Sequence, residues 1–344
     1  MKITLKPLDQ QVIVITGASS GIGLATAYAA AKEGAKLVLA ARSEADLDRI
    51  TQEINSKGGE AIFVVADVGK KEDVEKIAAA AKTYYGGFDT WVNDAGVSIY
   101  GRLEEVSDED NRRLFDTNFW GVVYGSLVAA RELKQRGGAI INIGSELSDL
   151  AIQIQGMYSA SKHAVKGFTD ALRIELEEAE EPIAVTLIKP AGINTPYTEH
   201  AKNYTGKQAT LPPPVYEPEE VAYAILKACV KPYRDIMVGG AAKVMSTMNK
   251  IVPTAMDFLT EKMMADQQLK DGPARDGRDG LHHAAGGGRV HGNYEGHTMK
   301  SFYTRARLNP VLTGVLAVAA AAGAAFLLSG SDRRSEQEYY DEEI

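Results

Sequence analysis

The chain has 344 residues, with 38 Lys plus Arg against 46 Asp plus Glu, six His and a single cysteine, Cys229. Its net charge of −8 excludes a general nucleic-acid-binding surface, which needs a basic excess. One cysteine excludes internal disulfides and fits a reducing compartment, with Cys229 expected as a small apolar core residue. The length exceeds one α/β domain and the excess lies at the C-terminus; the N-terminus has no cationic start before an apolar run, so no signal peptide is expected.

Gln11 to Thr16 is short, β-branched and apolar without alternation, the pattern of a strand buried on both faces. It runs into Gly17-Ala18-Ser19-Ser20-Gly21-Ile22-Gly23, a helix is expected from Leu24 to Glu33, and Gly34-Ala35 breaks the chain before a second strand, Lys36 to Ala41. Strand, glycine turn, helix and strand form the context of a dinucleotide-binding turn: the glycines let backbone approach a pyrophosphate, and the helix N-terminus offers free N–H groups. Strands are expected again at Ile62 to Ala66, Phe88 to Val92, Ala139 to Ile143, Ile183 to Ile188 and Ile236 to Val238. Helices are expected from Asp110 to Arg131 and from Glu217 to Val230, the latter with Pro218 near its start. This alternation predicts an α/β fold, a Rossmann-type doubly wound parallel sheet of about seven strands with helices on both faces.

Tyr158 and Lys162 are one helical turn apart, which puts both side chains on one face. An ammonium beside a phenol favours the phenolate and would lower its pKa from about 10, as a general acid/base near neutral pH requires.

Taken together, Thr16 to Gly23 and the Tyr158/Lys162 pair resemble the cofactor signature and catalytic pair of the short-chain dehydrogenase/reductase family. Further landmarks appear in order: Asn93-Asp94-Ala95-Gly96, Asn118, Ser145 thirteen residues before Tyr158, and Pro190-Ala191-Gly192-Ile193-Asn194-Thr195. The resemblance covers roughly the first two thirds of the chain. It implies hydride transfer between a nicotinamide and an alcohol or carbonyl carbon, with Tyr158 as acid/base and Lys162 lowering its pKa and holding the ribose. Ser145 would bind the substrate oxygen, and Asn118 would position a water linking Lys162 to solvent. The implied cofactor contacts are Gly17, Ser19, Ser20, Gly21, Ile22, Gly23, Arg42, Asp67, Val68, Asn93, Ala95, Gly96, Pro190, Ile193 and Thr195, together with Tyr158 and Lys162. No metal ligand set is expected, and the competing function is a non-catalytic NADP-binding sensor or membrane scaffold.

Cofactor choice is read at the end of the second strand. An acidic residue there would bind a ribose 2′-hydroxyl and repel a 2′-phosphate; here Ala41 is followed by Arg42, whose guanidinium suits a 2′-phosphate. NADP(H) is therefore favoured over NAD(H). Two departures from the family pattern stand out. Asp94 replaces an asparagine, with the expectation that its carboxylate holds the central sheet as an amide would, and Ala191 replaces a glycine after Pro190.

The catalytic domain is expected to span residues 1–240. Residues 241–269 form a Met-rich helical extension broken at Pro253, whose apolar face suits core packing, a lid over an apolar substrate or membrane-surface contact. Residues 270–309 carry Gly286-Gly287-Gly288 and scattered charges, a composition expected to form a flexible linker. Residues 310–329 are expected to form a transmembrane helix, since the eighteen uncharged residues from Val311 to Leu328 span about 27 Å against a hydrocarbon core of about 30 Å. An acidic tail, 330–344, follows. The resulting expectation is a single-pass anchor with the catalytic domain on the cytoplasmic face of a bacterial-type inner membrane. The substrate would be a small-molecule carbonyl or alcohol, lipophilic in character, and the assembly a homodimer or homotetramer.

Overall fold

The computed structural model describes residues 3–274, 279–310 and 313–314. They fall into two compact units divided after Ser301. In the first unit all seven expected strands form: β1 (Val12–Thr16), β2 (Lys36–Ala41), β3 (Glu60–Val65), β4 (Thr90–Asn93), β5 (Gly138–Ile143), β6 (Ile183–Pro190) and β7 (Asp235–Val238). They build one sheet in the order β7-β6-β5-β4-β1-β2-β3, every pair parallel. The order reverses between β1 and β4, which opens a crevice at the strands' carboxyl ends.

The unalternating strands follow from this burial. Val12, Val14, Val38 and Ala40 pack into one apolar cluster with Val74, Ile77, Val128, Leu133, Leu172 and Leu176 from helices α3 (Lys71–Tyr85), α5 (Gly121–Leu133) and α6 (Gly156–Glu178). Ile13, Ile15, Leu37 and Leu39 are equally inaccessible but lie outside that cluster, so the sheet is covered on both faces. On the other side α1 (Gly21–Lys32) packs against α7 (Pro218–Val230). Cys229 is fully buried on α7, as a small core residue should be. The remaining helices of this half are α2 (Glu44–Ser56) and α4 (Asp108–Phe115).

The helix expected from Asp110 to Arg131 is not continuous. Between α4 and α5 lies a π-helical turn, Asp116–Trp120, which carries Asn118. A π turn inserts one residue into the ladder and re-aims a side chain, which periodicity alone does not reveal.

The Met-rich stretch forms two helices, α8 (Gly240–Ile251) and α9 (Pro253–Gln267), divided at Pro253 as expected. Their inner side packs through Ala242, Ser246, Met256 and Thr260, while Val244, Met248, Ile251, Phe258, Leu259 and Met263 are exposed. None of their residues lines the main cavity. They are moored by Asp149, whose carboxylate accepts from Lys189 Nζ and Ser246 Oγ, both at 2.7 Å, and whose carbonyl accepts from Asn249 Nδ2 at 2.9 Å.

The expected linker, residues 270–309, is corrected by its described part. Leu269–Pro273 pairs antiparallel with Lys207–Ala209, and Thr298–Met299 pairs in parallel with Val215–Tyr216. Leu281, between them, is wholly buried. Composition missed this because the segment docks mainly through backbone groups. In the second unit, α10 (Phe302–Leu308) is a short helix. The expected membrane helix, 310–329, lies outside the described residues apart from 310, 313 and 314, and the acidic tail 330–344 lies wholly outside them. Among the described residues no helix is long and apolar enough to cross a membrane.

The Asp149–Lys189 pair has side-chain exposures of only 1% and 8%. Removing the carboxylate strands a buried ammonium, so Asp149→Ala should lower the unfolding free energy by about 3–5 kcal/mol. Urea denaturation followed by circular dichroism measures this, and an unchanged midpoint would contradict it.

Candidate active site

A cavity of about 270 Å³ opens at the crevice above β1 and β4. Its floor is the glycine turn after β1. Gly17 has φ +72°, and a Cβ there would lie 2.8 Å from the Ala95 backbone; a Cβ on Gly23 would lie 2.4 Å from the Gly17 carbonyl. Only glycine fits either position. Ser20 stands at the start of α1 with no side-chain cap bond and lines the cavity with Ser19 and Ile22. A cradle closed to any Cβ, at a helix N-terminus, fits the pyrophosphate of a nicotinamide dinucleotide.

Gly17, Ser19, Ser20, Gly21, Ile22, Arg42, Asp67, Val68, Ala95, Gly96, Pro190, Ile193 and Thr195 all line the cavity. Asn93 does not. Its Nδ2 donates to Ser126 Oγ at 3.1 Å and Asn142 Oδ1 at 2.8 Å, and its Oδ1 accepts from Trp91 Nε1 at 2.7 Å, so it ties β4 to α5 and β5 from behind. That is the sheet-holding role expected of Asp94. Asp94 instead lines the cavity and meets the Gly23 N–H.

Ser145, Tyr158 and Lys162 meet at the cavity's inner end. Ser145 leaves the tip of β5 and accepts the Leu147 N–H at 3.1 Å, which fixes its hydroxyl beside the start of α6. Tyr158 stands in the first turn of α6, and Lys162 one turn later sends Nζ to the Ile143 carbonyl at 2.9 Å, 5.6 Å from the Tyr158 ring centre. Asn118 lies just outside the cavity lining. Its Oδ1 accepts the Val97 N–H at 2.8 Å and its Nδ2 donates to the Val97 carbonyl at 3.0 Å and Ser161 Oγ at 3.2 Å. The side chain is thus committed to the wall of the site, and the π turn is what brings it there.

Burial sets the electrostatics. The Tyr158 phenol is pushed up to about 12 by burial, assisted by the Glu146 and Asp94 carboxylates and opposed by the hydroxyls of Tyr197 and Ser145. The depression expected from Lys162 does not appear: burial is the leading cause, and the Lys162 ammonium is hydrogen-bonded to the Ile143 carbonyl. Lys162 itself is lowered to about 8 by burial, with Asp94 pulling it back. Asp94 is raised to about 7 by burial, against Lys162 and the Gly23 N–H, and burial alone raises Glu146 to about 7.

Several participants were not singled out from the sequence. Tyr197 sets its ring 5.5 Å from that of Tyr158, with its hydroxyl 2.7 Å from both Ser98 Oγ and Gln155 Oε1. Gln155 continues to Gln268 at 2.7 Å. Tyr197 follows Thr195-Pro196 in the loop expected over the substrate, which was its available signal; Glu146 and Gln155 had none. Arg42 and Asp67 are also engaged: Arg42 with the carbonyls of Gly280 and Leu281, and Asp67 with Arg113 at 2.7 Å. Among the described residues, Glu217, Glu219 and His291 also bring ligand-type atoms within 4.8 Å of one another, at an exposed edge where His291 Nε2 stands 3.1 Å from a Glu219 oxygen.

A doubly wound parallel sheet with a dinucleotide cradle and a Ser–Tyr–Lys cluster at its carboxyl edge defines a nicotinamide-type oxidoreductase. Residues 11–205 match the short chain dehydrogenase family, and the chain belongs to it. It is 45% identical over 329 residues to the uncharacterized oxidoreductase YxnA of Bacillus subtilis (strain 168), covering 94% of this chain and 92% of that one. A short chain dehydrogenase/reductase from Burkholderia phymatum, solved in complex with NAD, is 28% identical with a TM-score of 0.63, over 78% of this chain and 99% of that one. An alcohol dehydrogenase from the archaeon Thermococcus sibiricus, solved with 5-hydroxy-NADP, is also 28% identical, with a TM-score of 0.59 over 66% and 95%.

Glu146 gives a stability test. A carboxyl raised from 4.5 to about 7 binds more protons folded than unfolded, so it contributes a loss of stability as pH rises from about 4 to 8. Glu146→Gln should remove that loss, raising unfolding free energy at pH 8 by about 1–2 kcal/mol after allowance for solvent reaching the cavity, with no gain at pH 4. Equal urea midpoints at both pH values would contradict it.

Proposed function

We propose that this chain is an NADP(H)-dependent oxidoreductase interconverting an alcohol and a carbonyl compound. The carrying observation is that Ser145, Tyr158 and Lys162 converge at one end of a cavity whose other end is the glycine cradle and Arg42. The bound nicotinamide supplies or accepts the hydride. In carbonyl reduction Tyr158 delivers its phenolic proton to the substrate oxygen while the Ser145 hydroxyl donates a hydrogen bond to that oxygen. Lys162, with its ammonium 5.6 Å from the Tyr158 ring centre, is positioned to offset the charge of the phenolate left behind. Alcohol oxidation runs the same transfers in reverse.

Arg42 supports NADP(H) over NAD(H): it reaches the cavity from the end of β2, where Ala41 stands in place of the acidic residue that would bind a ribose 2′-hydroxyl. The lining includes Val97, Leu147, Ile152, Leu211, Pro212 and Tyr197 alongside the polar Ser98, Glu146 and Gln155, and its apolar share favours a substrate with an apolar body. The apolar segment 310–329 supports delivery from a membrane on its sequence alone, and the family resemblance supports a dimer or tetramer.

NADPH oxidation measured across carbonyls from small polar ketones to bulky apolar ones tests this reading. Turnover should favour apolar substrates, and Tyr158→Phe should lose about 10²–10⁴-fold in kcat while still binding nucleotide. Tight NADPH binding with no turnover on any carbonyl would favour a sensor instead. Arg42→Ala should weaken NADPH binding about 10–100-fold and leave NADH nearly unchanged, the loss expected of a charge-assisted phosphate contact. Equal losses for both nucleotides would assign Arg42 to packing.

A further inference from the structure

The described residues 279–293 form a strap drawn across the nucleotide end of the cavity. It is pinned at three places. At one end Gly280 N donates to the His200 carbonyl at 2.6 Å, and Leu281 inserts its fully buried side chain beside Val97, Ile99 and Leu114. His282 Nε2 lies 2.6 Å from Asp110 Oδ1 beside that anchor. At the other end the Arg289 carbonyl accepts the Gly21 N–H at 3.0 Å, and Arg289 pairs with Glu199. Gly292 N then donates to the Asn194 carbonyl at 3.3 Å, so close that a Cβ on Gly292 would stand 2.3 Å from the Thr195 carbonyl oxygen. Between the pins, Ala284, Ala285 and Gly286 line the cavity itself.

The strap also organises the guanidinium expected to select the cofactor. The Leu281 carbonyl accepts from Arg42 Nη1 at 3.0 Å and from Arg113 Nε at 3.1 Å, and the Gly280 carbonyl accepts from Arg42 Nη2. Two like charges are thereby held side by side, bridged by one carbonyl, with Asp67 balancing Arg113 at 2.7 Å. A guanidinium carries five N–H donors. The strap takes one from each terminal nitrogen of Arg42, so three stay available in a fixed plane for a phosphate.

Resting on the nucleotide reading above, we propose that residues 279–293 are a clasp that completes the cofactor site. Closed, it encloses the dinucleotide and sets Arg42 in the orientation that takes a 2′-phosphate; it must release for the dinucleotide to enter or leave. Leu281 and Gly292 are positioning residues in this scheme, since they act through the strap.

Stopped-flow fluorescence of NADPH and NADH binding to the full chain, with release measured by chase, tests the clasp. In the wild type the observed NADPH binding rate should level off with concentration at the opening rate of the strap. Leu281→Ser removes the apolar anchor, and Gly292→Leu wedges the far end off Thr195 without touching the core. Each should raise the NADPH release rate about 10-fold or more, abolish the plateau and reduce the preference for NADPH over NADH by about 10-fold. Thermal melting of both variants, with Gly292→Leu as the milder change, separates strap release from unfolding. A folded variant with wild-type rates and preference overturns the clasp while leaving the enzyme reading intact. Tighter NADPH binding in the variants also overturns it, because the strap would then be a competitor for Arg42. Failure of the wild type to bind either nucleotide overturns the functional reading, and the clasp with it.

Discussion

The rest of the structure depends on the contact between the turns that follow β1 and β4. The sheet order makes β1 and β4 neighbours, and their outgoing turns are pressed together until Gly17 admits no Cβ against Ala95. Thr16 Oγ1 closes the seam by accepting the N–H groups of Asp94 and Ala95 at 3.2 and 3.3 Å. That seam places the N-terminus of α1 at the mouth of the crevice. It also fixes β4, from which a buried relay of amides runs outward: Asn93 to Asn142 at 2.8 Å, then Asn142 to Thr169 on α6 at 3.0 Å. The helix that carries Tyr158 and Lys162 is therefore keyed to the glycine seam through satisfied buried polar groups, which fix one arrangement because any slip would leave them unpaired.

Much of this was legible in the chain because it follows from local rules. A parallel strand buried on both faces must read as an unbroken apolar run, and all seven did. A turn with no room for a Cβ must use glycine, so Gly17 to Gly23 announced the cradle. Pro253 had to divide the Met-rich helices, and it did. What was not legible depends on where side chains go after the backbone has folded. Asn93 and Asp94 are adjacent and chemically alike, yet one faces the core and the other the cavity. Asn118 reaches Val97 only because a π turn interrupts a helix whose periodicity looks regular. Tyr197 meets Tyr158 through a loop whose path no spacing encodes.

The Tyr158/Lys162 pair shows the limit of spacing as an electrostatic argument. One helical turn does place the ammonium near the phenol, but at 5.6 Å from the ring and hydrogen-bonded to the Ile143 carbonyl it does not overcome burial. Desolvation is the leading cause for Tyr158, Lys162, Asp94 and Glu146 alike, and each is driven toward its neutral form. Lys162 is lowered while Asp94 and Glu146 are raised, so the ammonium and both carboxyls are less readily charged here than in water. Burial thus holds the phenol in its protonated form in the chain as it stands. The four groups sit on three different segments, and their shared burial, not the spacing of two of them along α6, sets their electrostatics.

The C-terminal segment carries the opposite lesson about composition. Its glycines and charges look unable to offset the entropy of ordering, and counted by side chains they are. The described strap instead presents carbonyls to arginines and to the first N–H of α1, and donates its own N–H groups to the carbonyls of Asn194 and His200, with Leu281 as its single deep apolar anchor. Glycine is suited to such docking because it permits the approach of Gly292 to Thr195 that a side chain would forbid. A segment held by backbone pins around one apolar plug has few contacts to lose when it opens, and its far end is pinned to Gly21 of the cradle and to Asn194 beside Thr195. Hydrogen bonds of this kind are worth about 1 kcal/mol each, enough in sum to hold the strap closed and few enough to let it go.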